Sequence, residues 1–109
     1  MIHEPVAVGV MHVLLIIPES RSLKDKRRVL LRLTERIKNR FSVSCHLVGG
    51  GEHPGKQRVV FTTGGKDKSQ IQTSFDKLRA FLDSFGLAWP SSVDVEYFSW
   101  LPGNGPMEM

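Results

Sequence analysis

The sequence predicts an α+β domain, a four-stranded antiparallel sheet with two helices on one of its faces. Three observations predict it. Apolar residues keep a helical period over 23–41 and again over 71–85. Runs rich in β-branched or alternating apolar residues stand before the first of these stretches, twice between them, and once after the second. Glycine and proline punctuate the chain at Pro18, Gly49, Gly50, Gly51, Gly64, Gly65 and Gly86.

Each element follows from local chemistry. Val6 to Ile17 is apolar except for His12, too continuous for a strand with one wet face, so it reads as a central strand. Pro18, which lacks the N–H a ladder needs, ends it. Ser22 and Asp25 form a helix start in which the hydroxyl accepts from the first turn and the carboxylate reaches back. Leu23, Leu30, Leu33, Ile37 and Phe41 then recur at intervals of 7, 3, 4 and 4, one face of a helix. Val43 to Val48 alternates as a second strand, and Gly49 to Gly55 forms a flexible hairpin tip. Arg58 to Thr63 is the third strand. A second helix starts near Asp67 or Ser69 and presents Ile71, Phe75, Leu78, Leu82 and Phe85, with Gly86 as a left-handed stop. Val93 to Trp100 alternates as the last strand, and Trp89, before Pro90, caps the core edge from a connection. The order strand, helix, strand, strand, helix, strand is that of the ferredoxin-like βαββαβ sandwich. Residues 1–101 form this single domain, and 102–109, rich in glycine and proline, a disordered tail. The fold hosts many activities, so function must come from the residues on it.

Composition narrows the classes. A chain of 109 residues suffices for one core without staples. No apolar run approaches the roughly 18 residues of a membrane span, and no basic-then-apolar leader opens the chain. The single cysteine, Cys45, excludes an internal disulfide framework and points to a reducing, cytoplasmic setting. The net charge is +4, but Arg21 to Arg40 holds nine basic residues against Asp25 and Glu35. That segment carries +7 and leaves −3 for the rest of the chain. Such asymmetry points to a polyanionic partner, with a merely solvated helix face as the plain alternative.

The stretch Ile17-Pro18-Glu19-Ser20-Arg21-Ser22-Leu23-Lys24-Asp25-Lys26-Arg27-Arg28-Val29-Leu30 resembles the signature of the YlxP-like family, small bacterial proteins classed as a domain of unknown function. The similarity continues from Glu35 to Ser44, and Val8-Gly9-Val10 resembles the family's opening strand. The resemblance implies a ferredoxin-like fold. It also implies a ribosome-linked RNA role, since members are encoded near translation and ribosome-maturation genes. It brings no catalytic residue. Two features depart from the family pattern: Leu47 stands where relatives tend to be acidic, and Gly49 to Gly55 where they often carry an acidic and aromatic loop.

The candidate site is the first helix. Lys24, Arg28, Arg32, Arg36 and Arg40 recur every four residues, so the stripe winds slowly across the solvent side, a geometry suited to tracking phosphates. Arg21 and Lys26 extend the patch. Arginine predominates, and its planar fork suits phosphate. The aromatics Phe61, Tyr97, Phe98 and Trp100 lie on strands and do not spell the RNA-recognition-motif signature. His3, His12, His46, His53 and Cys45 lack zinc-type spacing, and Cys45 reads as a core residue rather than a nucleophile. No cofactor or metal is expected. The leading expectation is a cytoplasmic, non-enzymatic protein that contacts structured ribosomal RNA, or the ribosome and translation factors, through Arg21, Lys24, Lys26, Arg28, Arg32, Arg36 and Arg40, with no membrane partner. The alternative is a protein-interaction or small-ligand module forming a homodimer through the open face of its sheet.

Overall fold

Strict alternation organises the central strand. In the computed structural model, which describes residues 4–109, β1 spans Val6–Ile16. His3 lies outside the described residues. Ala7, Gly9, Met11, Val13 and Leu15 are buried, while the residues between them are half-buried or exposed. Five further strands and helices follow in the expected order: α1 (Leu23–Arg40), β2 (Ser44–Leu47), β3 (Lys56–Gly65), α2 (Lys68–Ser84) and β4 (Trp89–Leu101). A fifth strand, β5 (Gly105–Glu108), closes the chain.

The sheet order is β2-β3-β1-β4-β5, and every pairing is antiparallel. The sheet thus has five strands, not the four expected. Residues 105–108, expected in a disordered tail, pair with 98–101 instead. The composition that suggested a tail builds the turn: Gly103 and Gly105 take positive φ of 89° and 77°, and Asn104 N–H donates to the Leu101 carbonyl. Pro106 is tolerated because β5 is an edge strand. The last main strand also begins earlier than expected. Trp89 pairs with Ile16 at the start of β4 and is 49% exposed, so it does not cap the core. The register slips between Leu14 and Leu15, beside Pro90.

One core holds the domain. Met11, Val13 and Leu15 of β1, with Val59 and Phe61 of β3, pack against Leu30, Leu33 and Ile37 of α1 and Ile71, Phe75, Leu78 and Leu82 of α2. Both helices therefore cover the same face. Val93, Val95 and Tyr97 of β4 pack on its margin. Glycine matters at one contact: a Cβ on Gly9 would stand 2.5 Å from Ile71 Cγ2 and 2.8 Å from Phe75 Cε2, so only hydrogen lets α2 seat here. The molecule is elongated, 51 × 23 × 20 Å. The β4–β5 hairpin extends one end of the sheet, beside Val6, and the Gly49–Gly55 loop the other, beside Ile16 and Ile17.

Candidate nucleic-acid interface

The start of α1 forms as its sequence dictates. Ser22 is the N-cap, its hydroxyl accepting from Asp25 N–H at 3.1 Å, and the Asp25 carboxylate accepts from Arg21 N–H at 3.2 Å. Ser22 thus answers one of the free donors of the first turn, and Asp25 holds the backbone just before the helix.

Lys26 departs from expectation. It is 4% exposed and stands with Leu30, Leu33 and Ile37 on the inward stripe of α1, at intervals of 4, 3 and 4. Its ammonium donates to the carbonyls of Gly50, Gly51, His53 and Lys56 at 2.9, 3.3, 2.9 and 3.3 Å. Three N–H donors shared among four carbonyls leave none for phosphate. Lys26 therefore leaves the phosphate-contact set. The spacing was a usable signal, since Lys26 precedes Leu30 by one helical turn.

The same contacts correct the reading of the glycine loop. It is not a free hairpin tip but a wrap around the Lys26 ammonium. Gly49 and Gly50 adopt positive φ of 63° and 72°, which turns their carbonyls inward. Gln57, also buried, donates to Gly49 O at 2.8 Å, and Ile17 N–H donates to Gly55 O at 2.8 Å.

Arg21, Lys24, Arg28, Arg32, Arg36 and Arg40 are exposed. The stripe winds from one set of neighbours to another. At its start, Lys24, Arg27 and Arg28 surround Leu31, 60% exposed, in a shallow hollow of about 390 Å³. At its end the guanidinium groups rest on aromatic rings. Arg36 lies 5.6 Å from the centroid of Phe85, and Arg40 lies 5.0 Å from Phe81 and 5.7 Å from Phe41. A hollow of about 420 Å³ opens there, lined by Arg40, Phe41, Phe81 and Lys77 among others. A cation held over a ring gains a cation–π attraction, which limits the rotamer freedom lost when an anion binds. Sequence reading found the stripe but not its ring contacts, because Phe81 lies in α2 and Phe85 at its end, and only the tertiary fold brings them to Arg36 and Arg40.

The strand aromatics divide. Phe61 is fully buried and Tyr97 packs on the core, while Phe98 is half-buried and Trp100 is 45% exposed on the opposite sheet face. Burial raises the Tyr97 phenol, Asp76 adds to the rise, and Arg79 opposes it. Cys45 packs against the core, where burial pushes its thiol above the ordinary value of 9.0 and Lys38 only partly offsets this. A neutral thiol is a poor nucleophile. Among the described residues, no three His, Cys, Asp or Glu side chains group as a metal would require. No helix there is long and apolar enough to cross a membrane.

Fold and charge define a small α+β protein in which one helix carries eight of the fifteen lysines and arginines. The chain belongs to the family described as "Protein of unknown function (DUF503)", whose model matches residues 8–94. It is 35% identical over 85 residues to the uncharacterized protein YlxP of Bacillus subtilis strain 168, covering 76% of this chain and 90% of that one. Among solved structures it is similar to the de novo designed protein Foldit4, with 20% identity and a TM-score of 0.47 over 86% of this chain and 96% of that one.

Proposed function

We propose that this protein is a cytoplasmic, non-enzymatic binder of structured RNA, with ribosomal RNA as the target class, and that the solvent side of α1 carries the contact. The observation behind this reading is the exposed stripe Lys24, Arg28, Arg32, Arg36 and Arg40, whose last two guanidinium groups lie over aromatic rings, Arg40 beside Lys77. Arg21 extends the stripe at its start. The strand order β2-β3-β1-β4, with both helices on one face, supports reading the scaffold as a ferredoxin-like sandwich with β5 added at one edge. The single thiol, with no disulfide to protect, supports the cytoplasmic assignment.

Phosphate contact predicts salt dependence. Each neutralised phosphate contributes about −0.7 to −0.9 to the slope of log K against log salt, so five contacts predict a slope of roughly −4. Sequence preference should be weak, because phosphate contacts position without reading bases. The test is fluorescence anisotropy with a labelled, structured ribosomal RNA fragment at several salt concentrations. The triple variant Arg28→Glu, Arg32→Glu, Arg36→Glu should lose binding and keep nearly the same thermal midpoint. Undiminished binding by that folded variant removes α1 as the interface.

A further inference from the structure

The helices cover one face of the sheet, and the other face carries a patterned surface. Along β1 it presents Val6, Val8, Val10, His12, Leu14 and Ile16, none of them fully buried. The flanks of β1 differ in charge. On β4 the register sets Asp94 beside His12 and Glu96 beside Val10. On β3 it sets Arg58 beside Leu14 and Lys56 beside Ile16. Acids thus lie on one side of the central strand and bases on the other. The strand is apolar on this face except for His12, whose Nε2 accepts from Arg58 Nε at 3.2 Å and leaves the terminal guanidinium nitrogens of Arg58 free among the described residues. Asp94 and Glu96 have no ion-pair partner among the described residues. Beyond the acids, toward the β4–β5 hairpin, Phe98 stands beside Val8 and Trp100 beside Val6.

We infer that this face is the interface of a homodimer, in which β4 of each protomer lies over β3 of its partner. The symmetry argument is short. A two-fold axis in the interface plane and parallel to β1 exchanges the flanks, so acids meet bases twice. An axis perpendicular to the strands would stack β4 on β4 and bring carboxylates together, which costs affinity. Asp94 lies level with His12, and Arg58 is level with Leu14, an offset of about 7 Å that an arginine side chain spans. Size agrees as well. Five strands at about 4.8 Å and a usable length of about 30 Å give a face on the order of 700 Å², near the roughly 800 Å² per partner of a standard interface. Phe98, Val8 and Val10 provide the apolar surface such a centre needs. The basic stripe of α1 lies on the opposite side and stays free, so this inference stands whether or not RNA binds.

The test is sedimentation equilibrium of the full chain at micromolar concentration, freed of nucleic acid. The expected mass is twice the 12.3 kDa of the chain. Asp94→Lys and Arg58→Glu, both at exposed positions, should each weaken the dimer about tenfold or more. The double variant restores opposite charges at both contacts and should recover affinity to within about threefold of the parent. A monomeric parent overturns the inference. Single variants without effect place any dimer on another surface, and a double variant as weak as the singles overturns the β4-over-β3 arrangement. Circular dichroism of each variant confirms that the comparison is between folded chains.

Discussion

Replacing Lys26 with methionine tests whether the residue is a clamp or a surface cation. The side chains have similar length, so the stripe it shares with Leu30 and Leu33 stays filled. What disappears is an ammonium held by two carbonyls at 2.9 Å and two at 3.3 Å. Hydrogen bonds from a charged donor contribute about 1.5–3 kcal/mol each, so three donors set an upper bound of roughly 5–9 kcal/mol. Two effects reduce it. Gly50, Gly51 and His53 lie on an exposed loop whose carbonyls rehydrate once it opens, and methionine is cheaper to bury than an ammonium. A net loss of about 3 kcal/mol is expected, which at roughly 4–8 °C per kcal/mol lowers the melting point by about 12–24 °C. Calorimetry and urea unfolding measure it. Native-state hydrogen exchange should show 49–56 opening first. RNA affinity of the folded variant should not change, because Lys26 has no donor free for phosphate. A loss below about 1 kcal/mol, together with weaker RNA binding, would show that the ammonium faces solvent and that the clamp is wrong.

Three further outcomes follow from local geometry. Gly9→Ala should destabilise by about 2–3 kcal/mol, because the new methyl cannot coexist with Ile71 Cγ2 at 2.5 Å without displacing α2; an unchanged urea midpoint would show that α2 is not seated on β1. Asp67→Ala should cost about 1 kcal/mol, since the carboxylate is the N-cap of α2 and accepts from Gln70 N–H at 2.9 Å; Asp67→Ser, which keeps a cap, should recover most of it. For Cys45 the folded pKa is raised, so its contribution to stability is complete below the unfolded value of 9.0 and is lost as pH rises through the folded one. Iodoacetamide should therefore label Cys45 slowly in the folded protein and rapidly in denaturant, and equal rates would place the thiol in solvent.

Periodicity made most of the fold legible. The stripe from Leu30 to Ile37, the alternation of β1 and the Ser22 and Asp67 starts are local patterns, and the structure follows them. What escaped depends on nonlocal partners. Pro102 to Pro106 reads as a tail until the left-handed glycines fold it back along β4. Lys26 reads as one more cation until the loop 24–30 residues downstream supplies its four acceptors. Arg36 and Arg40 fit the stripe by spacing, but their contacts with Phe85 and Phe81 need two helices at once.

The division within α1 decides how far family membership carries. In the run from Ser22 to Lys26, three polar residues serve architecture: Ser22 caps the helix, Asp25 fastens the entering backbone, and Lys26 gathers the glycine loop, while Lys24 stays exposed. The exposed cations from Arg28 to Arg40 hold nothing comparable in place, apart from the two that stack on α2. Those three side chains therefore serve the scaffold, and binding must be sought at the exposed cations, Lys24 and Arg28 to Arg40. The two segments predict opposite phenotypes. Neutralising Lys26 should lower stability and spare affinity, while reversing Arg28, Arg32 and Arg36 should spare stability and remove affinity. Measuring unfolding and RNA anisotropy on both variants separates scaffold from surface, and a variant that moved both quantities together would show that the two roles are not separable on this helix.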